Sequence, residues 1–420
     1  METLDNNEDT LILKDGIAIP KVKSYVPILK ERNGHEYLRN EETFRGKFLV
    51  KGLIGRGGYG QIYYGSDATF PEDVVIKIEP VVRNGRTGKR MLLEQKILYR
   101  LQGRPHVPIM CASGHTEHLN FIVMQLLGPN IGDLKKRSPV RRLSPTTVAR
   151  IMIQGIAALR DVHSLGYIHR DVKPANMCFG ITQNTRHVLK LVDYGMVRRY
   201  KNQDGERRKP RYRPGFRGTL RYSSVRVHDG KEQVPADDFV SMAYSGAELL
   251  LVNLPWKLVC VDDIRQAKCD FHAPNSPFLL LTGPFFSVFC GAIFSLRSTD
   301  EPDHTSLQQL LSEMTGGKSL REAYDWEENY RDAMGSELEK VSASCRAGLP
   351  AWCRQIASKE FPARTEQVAV QIAQLATNKR QGERQLASEK CKLPARTGQV
   401  ASENSEFSAR IGQLAGKNGD

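Results

Sequence analysis

No Cys-x-x-Cys pair occurs among the eight cysteines, which are scattered from Cys111 to Cys391. That spacing argues against a zinc cage and against a disulfide framework, and it makes a reducing compartment, cytoplasmic or also nuclear, the expectation. The opening residues Met1–Thr10 are acidic and polar, and they lack the basic start and apolar run of a secretory or transit signal. Acidic residues are outnumbered overall: 61 Lys and Arg face 47 Asp and Glu, for a net charge of +14. Charge of either sign is missing from Phe278 to Leu296, a run long enough to raise a membrane helix. Gly283-Pro284 and several Ser and Thr residues interrupt it, so core helices are expected there and no membrane span. With 40% hydrophobic and 26% charged residues the composition is that of a soluble globular protein. A chain of 420 residues suffices for two or three compact units.

What is present is concentrated between Tyr167 and Gly195. The chain reads Tyr-Ile-His-Arg-Asp-Val-Lys-Pro-Ala-Asn over Tyr167–Asn176, then an apolar strand pattern over Val188–Val192, then Asp193-Tyr194-Gly195. Phosphoryl transfer from a nucleotide asks little covalent chemistry of a protein. It needs a carboxylate facing the incoming hydroxyl, oxygen ligands for magnesium and positive charge on the group being moved. Asp171 is the candidate to orient the acceptor hydroxyl and take its proton, Lys173 to sit against the γ-phosphate, and Asn176 with Asp193 to hold Mg2+. A lone His-Arg-Asp triplet would read as a solvated turn. Lys and Asn in register, with an Asp-aromatic-Gly after a strand, leave that bland reading little room.

Upstream, Phe48–Ile54 leads into Gly55-Arg56-Gly57-Gly58-Tyr59-Gly60 and out through Gln61-Ile62. The glycine pattern also serves any tight hairpin. Because this turn lies between two strands rather than opening a helix, it argues against a Rossmann unit and for a flap over the phosphates of ATP. Ile54 and Ile62 would then sandwich the adenine. The β-branched run Val74–Ile76 ends in Lys77, and helical spacing of Met91, Leu92, Ile97, Leu98 and Leu101 places Glu94 on the following helix. Glu94 is the expected partner of Lys77, since Glu79, two residues along the same strand, would point parallel to the Lys. Strands are expected over Val107–Met110 and Phe121–Met124. Met124 would close the back of the adenine pocket, and the stretch after it, with Gln125 and Leu127, would form a hinge. Ser144 and Pro145 read as the start of a long helix that Gly166 stops. Thr219 is placed to hydrogen-bond Asp171 and Lys173, and Asp238 to accept backbone N–H groups near the catalytic loop.

On His169–Asn176, Asp193–Gly195, Gly55–Gly60 and Lys77, the sequence resembles the eukaryotic protein kinases. Gly215–Val225, Met124–Gly128 and Leu254-Pro-Trp256 narrow the likeness to the casein kinase 1 group, and within it to the tau-tubulin kinases, over roughly Phe44 to Trp326. The resemblance implies an α+β bilobal fold, with a small β-rich lobe over 46–124 and a larger, mainly helical lobe over 125–330. A partly disordered extension, 1–45, precedes them, and a low-complexity tail, 331–420, follows. It also implies that Lys77 pairs with phosphates, that Lys173 goes with serine or threonine acceptors, and that His169 is a backbone brace. Relatives in this group favour acidic or phosphate-primed substrates without activation-loop phosphorylation. The charge distribution agrees: from Arg198 to Arg226, eleven Lys and Arg stand against Asp204 and Glu206. Arg clusters grip phosphate bidentately, so Arg217 and Arg221 are candidates for an anion site, and acidic or phosphorylated protein is favoured over nucleic acid. One departure is Tyr194, where Phe is usual. It adds a hydroxyl that needs a partner if buried. The catalytic polar groups are intact, so activity is expected; the alternative is a catalytically weak pseudokinase acting as a nucleotide- or partner-binding scaffold.

The tail repeats with an offset of fourteen residues, and Leu386, Leu393, Val400, Phe407 and Leu414 fall every seventh position. Two heptads invite a coiled coil. Pro362, Pro394, Gly382, Gly398 and Gly412 interrupt the pattern, so a duplication that is disordered, or helical only against an unknown protein partner, is expected.

Overall fold

The computed structural model describes residues 36–327 except 58–59, 68, 70–72, 84–85 and 88–89, together with the backbone of 12–14 and 17–19. The tail and its repeats lie outside the described residues, as does most of the extension before residue 36.

Six strands form one antiparallel sheet: β1 (Thr43–Phe44), β2 (Phe48–Arg56), β3 (Gln61–Asp67), β4 (Val74–Pro80), β5 (Met110–His115) and β6 (Leu119–Gln125), in the order β1-β2-β3-β4-β6-β5. Period-two burial explains the strands. In β4, Val74, Ile76 and Ile78 are buried while Val75, Lys77 and Pro80 are only partly so, which sends Lys77 to the face opposite the isoleucines. The isoleucines pack with Phe44, Phe48, Val50, Phe121 and Val123, and Leu38, upstream of residue 46, joins the same core.

Helix α1 (Arg90–Leu101) lies beside this sheet and buries Met91, Glu94, Ile97, Leu98 and Leu101. Leu92, read from spacing as part of that apolar face, is instead exposed. It stands one residue past Met91 and so about 100° round the helix from the buried stripe. A second correction concerns Val107–Met110. The strand there starts at Met110, at the end of the expected segment, and runs to His115. Pro105 and Pro108 remove two ladder donors. Val107 turns back to Arg104, and Ile109 is held by Gln125, its N–H by the side-chain oxygen and its carbonyl by the backbone N–H.

The large lobe is mainly helical. Helix α2 (Ile131–Arg137) is capped by Asn130. Helix α3 (Pro145–Ser164) begins with Ser144 accepting from the Thr147 N–H and Pro145 at its first position, and ends just before Gly166 at φ +74°. Its apolar face packs on helix α4 (Pro235–Leu250) in one core with Trp256, Phe271, Phe286 and Phe289. The uncharged run splits into two short helices, Pro277–Leu280 and Pro284–Phe294, broken where Gly283 adopts φ +90°. Among the described residues no helix is long and apolar enough to cross a membrane.

Candidate active site

Between the sheet and the helical lobe lies a cleft of about 320 Å³. Gly57, Gly60, Gln61 and Ile62 line it from one side, Asp171, Lys173 and Thr219 from the other, with Lys77 and Asp193 between. Gly58 and Tyr59 fall outside the described residues.

The loop His169–Asn176 is fixed from beneath. Asp238, buried in the first turn of α4, accepts from the backbone N–H of His169 at 2.7 Å and of Arg170 at 2.8 Å, and pairs with the His163 ring at 2.9 Å. Burial alone would raise its pKa. The His163 bond and the nearby imidazoles outweigh that and hold it below the ordinary carboxylate value, as a helix N-terminus also favours. Within the loop, Asp171 accepts from Thr219 Oγ1 at 2.7 Å, Lys173 Nζ at 2.7 Å and Asn176 Nδ2 at 3.3 Å. Lys173 also reaches Thr219 at 3.0 Å. Thr219 comes this close because residue 218 is glycine: its φ is +105°, and a Cβ there would lie 2.5 Å from the Arg170 carbonyl oxygen.

A hairpin of β7 (Met177–Phe179) and β8 (Leu189–Leu191) carries the chain onward to Asp193. Val192 N–H donates to the Asn176 carbonyl at 2.9 Å, which ties that strand end to the loop. Asp193 sits in the left-handed region (φ 62°, ψ 70°), and Arg170 is also at positive φ, 69°. Non-glycine residues held there carry strain that clusters at functional sites.

Lys77 Nζ lies 2.8 and 2.7 Å from the two carboxylate oxygens of Glu94 and 3.3 Å from Asp193. Glu79 makes no ion pair with it among the described residues, and burial pushes that carboxyl up. Burial would lower Lys77, but Glu94 and then Asp193 prevail and raise it above its ordinary value. Asp193 behaves oppositely: against the effect of burial, Lys77 and Arg90 hold it far below the usual carboxylate range. Arg90, which the sequence reading did not single out, places Nη2 2.9 and 3.1 Å from the Asp193 oxygens.

Among the described residues no cluster of three or more His, Cys, Asp or Glu side chains could hold a metal alone. Asn176 turns its amide nitrogen to the Asp171 carbonyl at 2.8 Å, which leaves its amide oxygen and the Asp193 carboxylate as hard donors. That set suits a magnesium ion completed by phosphate and water oxygens.

Ile54, Gly55, Arg56, Met124, Gln125 and Leu127 do not line this cleft. Ile54, Gly55 and Arg56 end β2, where Gly55 and Arg56 pair with the cleft-lining Ile62 and Gln61; Met124 and Gln125 close β6, and Leu127 follows it. The Gln125 side chain is buried and accepts from Ile109 N–H at 2.8 Å. Backbone N–H groups of Gln125, Leu126 and Gly128 donate to Ile109, Asp73 and Phe179. The N–H of Leu127 has no such partner among the described residues.

The basic segment is less free than its composition suggests. Arg198 and Arg211 both pair with Glu232, Lys201 and Arg207 with Glu301, and Arg226 approaches Asp237 at 3.6 Å. Arg221 pairs with Glu248 at 3.1 Å, and the Tyr222 hydroxyl donates to the same carboxylate. Arg208, Lys209, Arg213 and Arg217 are exposed, with no carboxylate within 4.0 Å among the described residues. Of the two candidate anion ligands, Arg217 is thus open, while Arg221 is already engaged.

Comparison with known proteins agrees with this geometry. The protein kinase domain family matches residues 48–281. The chain is 40% identical over 319 residues to a casein kinase I homologue of Caenorhabditis elegans, covering 75% of this chain and 94% of that protein. It is 35% identical over 287 residues to a serine/threonine-protein kinase homologue of Dictyostelium discoideum, covering 67% of this chain and 57% of the other. With the serine/threonine-protein kinase spe-6 of C. elegans it shares 29% identity over 293 residues, 68% of this chain and 76% of that one.

Proposed function

The chain belongs to the protein kinase family and is a serine/threonine protein kinase homologous to casein kinase I; on that premise we propose that it moves the γ-phosphoryl group of ATP, with Mg2+, to hydroxyls in acidic or phosphate-primed proteins. The observation that carries the residue roles is the convergence of Asp171, Lys173, Asn176 and Thr219 within hydrogen-bonding distance on the cleft that Lys77 and Asp193 share. Asp171 orients the acceptor hydroxyl and takes its proton, while Thr219 and Lys173 fix the carboxylate. Lys173 carries positive charge toward the transferred group. Lys77, held by Glu94, would position the nucleotide phosphates, and Gly57, Gly60 and Gln61, which line the same cleft, would face them. Asn176 and Asp193 would hold the magnesium, which would neutralise phosphate charge. The Leu127 N–H, which has no partner among the described residues, is the group available to adenine, between Ile54 and Ile62.

The preference for acidic or primed acceptors is supported by the exposed Arg208, Lys209, Arg213 and Arg217 in the segment that follows Asp193 in the chain, since guanidinium groups pair bidentately with phosphate. The finer placement near the tau-tubulin kinases rests on Gly215–Val225, Met124–Gly128 and Leu254–Trp256, and a cytoplasmic or nuclear setting on the scattered cysteines with no Cys-x-x-Cys spacing. The test is a comparison of initial rates on an acidic peptide, a phosphoserine-primed peptide and a basic one, with wild type and an Arg213→Glu/Arg217→Glu variant. The variant is expected to raise KM for the first two by roughly tenfold with KM for ATP unchanged. Equal KM values for all three peptides in both proteins would remove the acidic preference.

A further inference from the structure

Arg90 opens α1 one turn before Glu94, so the two side chains share a helix face; Arg90 lines the cleft, and Glu94, buried, reaches it through Lys77. The guanidinium does more than neighbour the Lys77–Glu94 pair. Its Nη2 contacts both oxygens of Asp193, at 2.9 and 3.1 Å, from a side chain only 19% exposed. The approach is built into the backbone of the partner segment: a Cβ at residue 195 would lie 2.2 Å from Arg90 Nε, so Gly195 makes the room that Arg90 fills. Glu79, Glu94 and Asp193 are the carboxylates facing this guanidinium, and Lys77 is the other cation among them. One carboxylate more than cations is therefore present, and Asp193 is shared between two positive groups.

A guanidinium nitrogen bridging both oxygens takes the chelating position of the carboxylate, and its repulsion of a divalent cation in a partly buried site sets the two in competition for it. The geometry points to Arg90 as a gate on metal binding: its guanidinium competes with the divalent cation for Asp193, and uptake of the metal with nucleotide requires its release. This rests on the reading that Asn176 and Asp193 hold the metal. Arg90 is thereby a positioning residue at the hinge between α1 and the Asp193 segment, distinct from the Lys77–Glu94 pair, which does not have to part.

The test measures Mn2+ affinity by the electron paramagnetic resonance signal of free Mn2+, on the full chain saturated with a non-hydrolysable ATP analogue, a readout that needs no turnover. Wild type is compared with Arg90→Met, which keeps bulk and removes charge, and Arg90→Lys, which keeps one cation without the guanidinium fork. Thermal unfolding reports whether each is folded, and Arg90→Lys serves should Arg90→Met fail to fold. Arg90→Met is expected to tighten Mn2+ binding by roughly tenfold, and Arg90→Lys by a smaller factor. A folded variant binding Mn2+ no more tightly than wild type overturns the gate alone. Wild type that takes up no Mn2+ with the nucleotide overturns the metal reading and the gate together.

Discussion

Tyr194 packs its ring edge-on to His169, with centroids 5.3 Å apart, and is fully buried with no hydrogen-bond partner for its hydroxyl among the described residues. Burial pushes the phenol well above its ordinary pKa, so it stays neutral and unpaired. A buried polar group left unmade costs about 1–3 kcal/mol. Tyr194→Phe should therefore raise the free energy of unfolding by about 1 kcal/mol, read by denaturant titration, and leave phosphotransfer intact. A loss of stability would show that the hydroxyl has a partner after all. The substitution of Tyr for Phe was legible in the sequence; the missing partner depends on what packs around the ring, which spacing does not reveal. His272 is a second case at this scale. It stacks on Phe294 at 3.8 Å, meets the Tyr244 hydroxyl at 2.7 Å, and burial lowers its pKa to about 4. Because its folded pKa lies below the ordinary value of about 6.5, the unfolded chain binds more protons between those pH values. Stability is thus full above about pH 6.5 and falls as pH drops toward 4, by on the order of 2 kcal/mol from this residue. His272→Phe should flatten that part of the stability–pH curve, and an unchanged slope would contradict the assignment.

At the scale of elements, α4 and α1 hold the two halves of the site. Asp238 joins α4 to the catalytic loop through two backbone N–H groups and His163. Asp238→Ala strands all three donors, and is expected to destabilise the protein by on the order of 3 kcal/mol in chemical denaturation. Glu94→Gln breaks the link from α1 to Lys77 with little loss of bulk. Misplacing a substrate-positioning cation by an ångström can cost about a hundredfold, so kcat/KM should fall by that order while the fold persists. Both contacts were readable, because each belongs to a pattern that a short stretch carries whole: a carboxylate in a first turn, a Glu on a helix after a strand Lys. Elements without such a pattern were misread. Val107–Met110 has the apolar residues of a strand, yet two prolines and the side chain of Gln125 decide its backbone. Arg90 escaped notice because its position on Asp193 is set by the close approach of Gly195, about a hundred residues away.

For the whole molecule, composition exaggerated the positive field. Six of the eleven basic residues between Arg198 and Arg226 are paired with four carboxylates, Glu232, Glu248, Glu301 and Asp237, which offset four of those charges. These pairs join partners up to 100 residues apart, beyond any local window. What remains exposed without a carboxylate partner among the described residues is Arg208, Lys209, Arg213 and Arg217, and their attraction for an acidic acceptor should weaken with salt, since exposed charges are screened within about 8 Å at physiological ionic strength. KM for an acidic peptide should therefore rise between 0.05 and 0.3 M salt, about threefold or more, with KM for ATP nearly flat. The most direct measurement is transfer of radiolabelled phosphate from the γ position of ATP to casein in the presence of Mg2+, by the full chain and by Asp171→Asn. Incorporation by wild type that falls by a factor of about a thousand or more in the variant is the expected result. Equal incorporation by both proteins, or none above background by a folded wild type, would contradict the assignment of this cleft as a working phosphotransfer site.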